Sequence, residues 1–256
     1  MQAPHGKDPF GLVGRRILIT GASSGIGKAC AVAAAQAGAA CLLQGRRSDS
    51  LEAVRASLAG PEAHGVVCGD LLDEAYRASL LGSLPGLHGM VHAAGAIDLL
   101  PLRLTEDDAL DAILDLNFGS AFTLVRDTLR ARKLERGASI VLMSSVTGPG
   151  RGLAGGSAYG ASKGALEGFM KSAALELARK GIRINALAPG MVETEGLQRI
   201  KSQLSQQAIE ADIRRYPLGR YGRPEEVAHA AQYLLSDASA WVTGQTLVID
   251  GGLTAA

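Results

Sequence analysis

The chain is predicted to be a single α/β domain over residues 1–256, a Rossmann-type doubly wound parallel sheet of about seven strands with helices on both faces. Three observations predict it. Short, continuously apolar runs alternate with longer stretches of helical periodicity, the pattern of a parallel sheet covered on both sides. A glycine-rich turn, Thr20 to Gly27, joins the first apolar run to the first helical stretch. No repeat, low-complexity tract or linker interrupts the alternation.

Residues 16–20 form the first strand, and an Ala-rich helix runs from the turn to about Ala37. Gln36 and Gly38 break the apolar character of that stretch, so it is a packed helix and not a membrane span. Strands follow at 40–44, 64–68, 89–93, 139–143, 183–188 and 246–249. Helices are expected over 48–58, 73–84, 105–133, 157–180, 196–215 and 224–235.

Composition narrows the function. Apolar residues make up 47% and charged residues 20%, which suits a packed core. A net charge of +1 offers nothing to a nucleic acid or an anionic membrane, so neither is an expected partner. Residues Met1 to Phe10 contain no apolar h-region, so no secretory signal is expected in them. Cys30, Cys41 and Cys68 lack metal-ligand spacing and are expected to be buried thiols in a reducing cytoplasm. The five histidines are scattered, so no metal is expected.

The chemistry centres on Tyr159 and Lys163, four residues apart and so on one face of a helix. Alone, a phenol titrates near 10 and an ammonium near about 10.4. An ammonium close to a phenol favours the phenolate and brings the tyrosine toward working pH. A serine pair, Ser144 and Ser145, precedes them.

The turn supplies Gly21, Ser23, Ser24, Gly25, Ile26 and Gly27 at a helix N-terminus. Its glycines let backbone amides approach a pyrophosphate, and the helix end adds partial positive charge. Gly21 to Gly25 also fits the Gly-x-Ser-x-Gly elbow of α/β-hydrolases, with His229 as a paper triad partner. Only about fifteen residues precede it, too few for the strand and loop that fold needs for its oxyanion hole. The second strand ends in Gly45-Arg46-Arg47 without a carboxylate, and arginine suits a ribose 2′-phosphate, so NADP(H) is expected in preference to NAD(H).

With these motifs in order, the chain resembles the short-chain dehydrogenase/reductase family from about Phe10 to Gly252. Asp70, Asn117, Ser145 and Pro189-Gly190 stand where the family has its other signatures. The stretches 217–220 and 244–252 resemble the 3-oxoacyl-acyl-carrier-protein reductase branch, which shares its tail with sugar, alcohol and ketone reductases. The resemblance implies that Tyr159 exchanges a proton with the substrate oxygen and that Ser145 hydrogen-bonds that oxygen. It gives Lys163 the nicotinamide ribose and Asn117 a water linking Lys163 to solvent. Asp70 and Leu71 would face the adenine, and Ala94, Gly95 and Ala96 would pass under the ribose. Pro189, Gly190, Val192 and Thr194 would line the nicotinamide. Four simpler alternatives stay open here: Asn117 as a residue that only bends or solvates its helix, Ser144 in place of Ser145, Asp70 as a helix N-cap, and Thr194 as a cap of the segment that follows it.

The chain departs from the family twice. His92-Ala93-Ala94-Gly95 replaces Asn-Asn-Ala-Gly, and His92 is expected to take over the lost amide's tie between strands. Tyr159 follows Ser145 by fourteen residues, one more than is common, across a glycine-rich loop expected to form a pliable rim. Residues 193–216 are expected to form a substrate lid, with Ile200, Leu204, Ile209 and Ile213 beneath and Lys201, Glu210, Arg214 and Arg215 outward. The resemblance further implies a homotetramer, or a dimer, with Ala165, Leu166, Phe169, Trp241 and Leu247 as contacts. The expected function is an NADP(H)-dependent oxidoreductase, a carbonyl reductase or alcohol dehydrogenase acting on a small molecule. The competing one is a non-catalytic NADP(H) sensor or scaffold, which would not need the tyrosine and lysine.

Overall fold

The computed structural model describes residues 8–202 and 205–255, the side chains of 199 and 200 excepted. Its strands are β1 (Arg16–Thr20), β2 (Ala40–Gly45), β3 (Gly65–Cys68), β4 (Leu87–His92), β5 (Leu134–Met143), β6 (Arg183–Pro189) and β7 (Thr246–Ile249). The helices are α1 (Gly25–Gln36), α2 (Ser48–Ser57), α3 (Glu74–Ser83), α4 (Asp107–Leu114), α5 (Ser120–Arg130) and α6 (Ser157–Ala178), then α7 (Glu195–Lys201), α8 (Gln206–Ile213) and α9 (Pro224–Leu235). The strands make one parallel sheet in the order β3-β2-β1-β4-β5-β6-β7. Chain direction across the sheet reverses between β1 and β4, the switch point at which such sheets bind ligands beyond their strand ends.

Alternation along each strand builds two cores. Ile17, Ile19, Val91 and Val141 face α1, α2 and α9, while Leu18, Met90, Ile140 and Leu142 face α3, α5 and α6. Full burial of each such side chain is worth about 1.5–3 kcal/mol. The alanines of α1 keep that helix slim where it packs beside α9.

Several expectations change. The helix expected over 105–133 is three pieces: α4, a π-helical turn at Asp115–Gly119, and α5. Its cause is a ladder shift, Ser120 N–H bonding Asp115 O five residues back. The stretch 196–215 divides into α7 and α8. Cys30 and Cys41 are buried, with thiols pushed up to about 12 by desolvation, but Cys68 is exposed at the end of the short edge strand β3.

Candidate active site

Gly21 and Gly27 are demanded by packing where β1 meets α1. A Cβ on Gly21 (φ +64°) would stand 2.7 Å from Ala93 O, and one on Gly27 would stand 2.3 Å from Gly21 O. The turn therefore closes on itself and on the chain leaving β4, with no room for side chains. Ser24 is the N-cap residue of α1, yet its side chain makes no capping bond. Gly25 N–H instead donates to the Glu195 carboxylate of α7 at 3.0 Å. An anionic oxygen thus already sits at the α1 N-terminus. Thr194 packs over the same turn, its methyl 3.2 Å from where a Gly25 Cβ would lie, while its hydroxyl accepts from Leu197 N–H and caps α7.

Four of the expected catalytic residues converge at the C-terminal ends of β4 and β5. Tyr159 and Lys163 are buried on the first turns of α6, and Asn117 is fully buried in the π-helical turn. Lys163 Nζ lies 5.6 Å from the Tyr159 ring centroid and donates to Met143 O at 2.8 Å. The Asn117 amide accepts from Ala96 N–H at 2.8 Å, donates to Ala96 O at 3.0 Å and donates to Ser162 Oγ at 3.0 Å. A Cβ on Gly95 would meet Asn117 Oδ1 at 2.9 Å and approach Lys163 Nζ to 3.6 Å, so glycine lets the chain leaving β4 pass close to both side chains.

The serines separate cleanly. Ser144 Oγ donates to the Glu167 carboxylate at 2.9 Å, turned away from the tyrosine. Ser145 Oγ accepts from Thr147 N–H at 3.1 Å and is near enough to the Tyr159 hydroxyl to pull its pKa down. Of the pair, Ser145 is the one placed beside Tyr159.

Burial acts on the two titrating groups in opposite senses. Desolvation raises Tyr159 above the ordinary phenol value, with Ser145 pulling it down. Desolvation lowers Lys163 to about 8. His92, also buried, is driven down to about 3 by desolvation and then by the Lys163 charge.

The remaining expected cofactor residues line the strand ends. Ser23 and Ile26 are half-buried in the turn, and Ala94 N–H donates to Thr20 Oγ1 at 3.0 Å. Arg46 and Arg47 are exposed beyond β2, with Arg46 Nη1 4.0 Å from Asp70 Oδ2. Asp70 accepts from Leu72 N–H at 2.9 Å, and the N-cap of α3 is Asp73. Leu71 is buried, its carbonyl taken by Arg77. Pro189 O accepts from Val146 N–H, Gly190 N–H donates to Ile249 O, and Val192 is buried in the core.

Local details correct the sequence reading. His92 does not tie β4 to a neighbouring strand; its Nε2 stands 3.0 Å from Ser120 Oγ. Thr20 makes the tie, accepting from Ala93 and Ala94 N–H. The loop after Ser145 is closed by backbone bonds from Gly148 to Arg151 and from Gly150 and Arg151 to Val146. Gly148 packs directly on Gly160, where its Cβ would meet Gly160 O at 2.4 Å. Ile209 and Ile213 pack on Leu197, Tyr216 and Tyr221, whereas Leu204 and the Ile200 side chain lie outside the described residues. Lys201 is not outward: it pairs with Glu193 at 3.0 Å and lies over the Tyr221 ring. Leu166 is fully buried within the chain, so it is core and not a subunit contact.

Thr20, Ser162, Glu167 and Glu195 were not anticipated. Glu167 stands four residues beyond Lys163, a helical spacing that could have flagged it. Glu195 carries no such signal, because only the fold brings α7 to α1. No group of three or more His, Cys, Asp or Glu side chains among the described residues could hold a metal. No helix among them is long and apolar enough to cross a membrane.

A glycine turn at the switch point of a parallel sheet, facing a buried phenol, ammonium and hydroxyl, defines a dinucleotide-binding domain equipped for proton transfer. Residues 21–254 match the family model described as enoyl-(acyl carrier protein) reductase. The 3-oxoacyl-acyl-carrier-protein reductase of Thermotoga maritima is 38% identical over 249 residues, covering 94% of this chain and 98% of that one. Carbonyl reductase family member 4 of Danio rerio is 36% identical over 243 residues, covering 93% and 98%. A variant of actinorhodin polyketide ketoreductase solved with NADPH superposes with a TM-score of 0.86 at 28% identity, covering 94% and 97%. The chain belongs to the short-chain dehydrogenase/reductase family, in its 3-oxoacyl-acyl-carrier-protein reductase-like branch, and is an NAD(P)-dependent oxidoreductase acting between CH–OH and C=O.

Proposed function

We propose that the protein is an NADP(H)-dependent carbonyl reductase, with Tyr159 as proton donor in reduction and acceptor in the reverse direction. One observation carries this reading: Tyr159, Ser145 and Lys163 are buried together, with Gly95 of the chain leaving β4 adding no side chain beside the lysine. The residues fit the cofactor. The α1 N-terminus already receives an anionic oxygen from Glu195, the Ser24 side chain is not used as a cap, and two exposed arginines follow β2. The NADPH held by the ketoreductase relative supports the same cofactor.

Bound NADPH supplies hydride to a carbonyl carbon, which is the cofactor's own chemistry. The chain's part is to orient and to move a proton. Ser145 Oγ holds the substrate oxygen, and the Tyr159 hydroxyl delivers a proton to it as negative charge develops. Lys163 binds the nicotinamide ribose and adds positive charge beside the phenol. Asn117 positions the path by which Lys163 exchanges a proton with solvent. Asp70 and Leu71 flank the adenine, Arg46 and Arg47 take the 2′-phosphate, and Gly21, Ser23, Ser24, Gly25, Ile26 and Gly27 take the pyrophosphate. Ala94, Gly95 and Ala96 underlie the ribose, and Pro189, Gly190, Val192 and Thr194 line the nicotinamide.

Residues 193–216, carrying α7 and α8, serve as the substrate lid of this single domain. Exposed Ile97, Leu99, Leu102 and Leu104 follow β4, and Leu100 of that loop neighbours Gly155 just before α6. An apolar ketone or a 3-oxoacyl thioester suits such a rim, in keeping with the reductase relatives. The enzyme works in the cytoplasm as a homo-oligomer, a second copy covering the fully exposed Trp241 with Leu175, Leu247 and Val248.

The test is NADPH oxidation with a panel of ketones and 3-oxoacyl thioesters. Tyr159→Phe should lower kcat by about 10²- to 10⁴-fold while NADPH binding persists. Binding without turnover of any compound by the wild type would return the sensor reading.

A further inference from the structure

The π-helical turn that holds Asn117 leaves a carbonyl to be satisfied. In an α-helix Ser120 N–H would bond Leu116 O, but here it reaches back to Asp115 O. Leu116 O is taken instead by the hydroxyl of Ser120 at 2.6 Å. With its proton committed there, Ser120 Oγ can only accept from His92 Nε2, 3.0 Å away. His92 is therefore the donor, in the Nε2–H tautomer, 1% exposed at the end of β4. Four residues further on, Ala96 exchanges two hydrogen bonds with the Asn117 amide. One short stretch, 92–96, thus grips the turn at its middle, Asn117, and at its C-terminal end, Ser120.

We propose that His92 is a positioning residue for Asn117, holding the π-helical turn through Ser120 and so setting how Asn117 meets Ala96 and Ser162. The proposal rests on the reading of Asn117 as part of the proton path. Thr20 already ties β1 to the chain after β4, which leaves the ring free for this contact. Burial and the neighbouring Lys163 keep the imidazole neutral across the working pH range, so its single donor is always available.

The test compares His92→Leu, which removes the donor, His92→Gln, which retains one, Ser120→Ala, and Asn117→Ala as reference. Two quantities are measured: kcat and KM for carbonyl reduction, and amide hydrogen exchange of residues 114–121 in the cofactor-free chain. His92→Leu and Ser120→Ala should lower kcat roughly ten- to a hundred-fold, as a small misplacement near reacting groups does. KM for NADPH should stay within about two-fold, the split expected when binding is untouched. Exchange in the turn should quicken, and His92→Gln should restore both readouts. The double variant His92→Leu/Ser120→Ala should lose no more than the worse single one, because both act through one bond. Unchanged exchange in His92→Leu, or losses that add in the double variant, would overturn the proposal. Should His92→Leu not fold, Ser120→Ala with unchanged kcat and exchange overturns it equally. If Asn117→Ala leaves kcat intact, the reading of Asn117 fails, and the exchange data alone then decide whether His92 holds the turn.

Discussion

Lys163 Nζ donates to the carbonyl oxygen of Met143 at 2.8 Å, and this bond, on the strand that leads to Ser145, anchors the ammonium beside the Tyr159 ring. The sequence alone suggested that the lysine makes the phenol acidic. In the structure the phenol lies above its ordinary value because of burial, and the group that lowers it is Ser145. The lysine bears the heavier desolvation, which brings it down to about 8 from 10.5.

Stability should therefore depend on pH through Lys163. Below about 8 both folded and unfolded chains carry the charge, and the full penalty of burying it is present. Between about 8 and 10.5 the folded chain releases a proton that the unfolded chain retains, so stability rises with pH there. Relative to Lys163→Met, urea unfolding of the cofactor-free protein should show a gain of about 3 kcal/mol across that window, at 1.36 kcal/mol per pKa unit. A flat difference between the two proteins would show that the ammonium is not desolvated.

Arg46 and Arg47 should decide between cofactors. Each charge-assisted bond to a phosphate is worth about 1.5–3 kcal/mol, so Arg46→Ala/Arg47→Ala should raise KM for NADPH at least about ten-fold. KM for NADH should hardly move. Equal losses with both cofactors would mean that the arginines support the fold of this edge, where Arg46 faces Asp70, and not the 2′-phosphate.

Glu195 occupies the backbone donor that a pyrophosphate oxygen would use. Removing a charge at a helix N-terminus is worth about 0.3–1 kcal/mol, so Glu195→Ala should bind NADP+ up to about five-fold more tightly by calorimetry. Weaker binding would show that α7 helps the cofactor instead of competing with it, and the lid reading would need revision.

Trp241 is fully exposed, which is costly for so large an apolar ring unless another surface covers it. Sedimentation of Trp241→Glu should reveal a smaller species than the wild type. A wild type that sediments as a monomer would remove the homo-oligomer from the account.

Short-range patterns carried much of this protein in its sequence. Alternating apolar runs mark the seven strands, glycine spacing marks the turn after β1, and a four-residue interval puts Tyr159 and Lys163 on one helical face. Each depends only on neighbours along the chain. The choice between Ser144 and Ser145 did not: consecutive residues in extended chain point to opposite sides, and only the placement of α6 puts Glu167 on one side and Tyr159 on the other. The Thr20 tie that replaces the expected one from His92, the Glu195 carboxylate on the glycine turn, and the bonds from His92 and Ala96 that hold the π-helical turn are likewise contacts between segments far apart in sequence. Local periodicity determined the fold and the type of site. The partners of each side chain, and with them the direction in which Tyr159 is shifted, were decided by three-dimensional packing, because desolvation and hydrogen bonding depend on what surrounds a group and not on what precedes it.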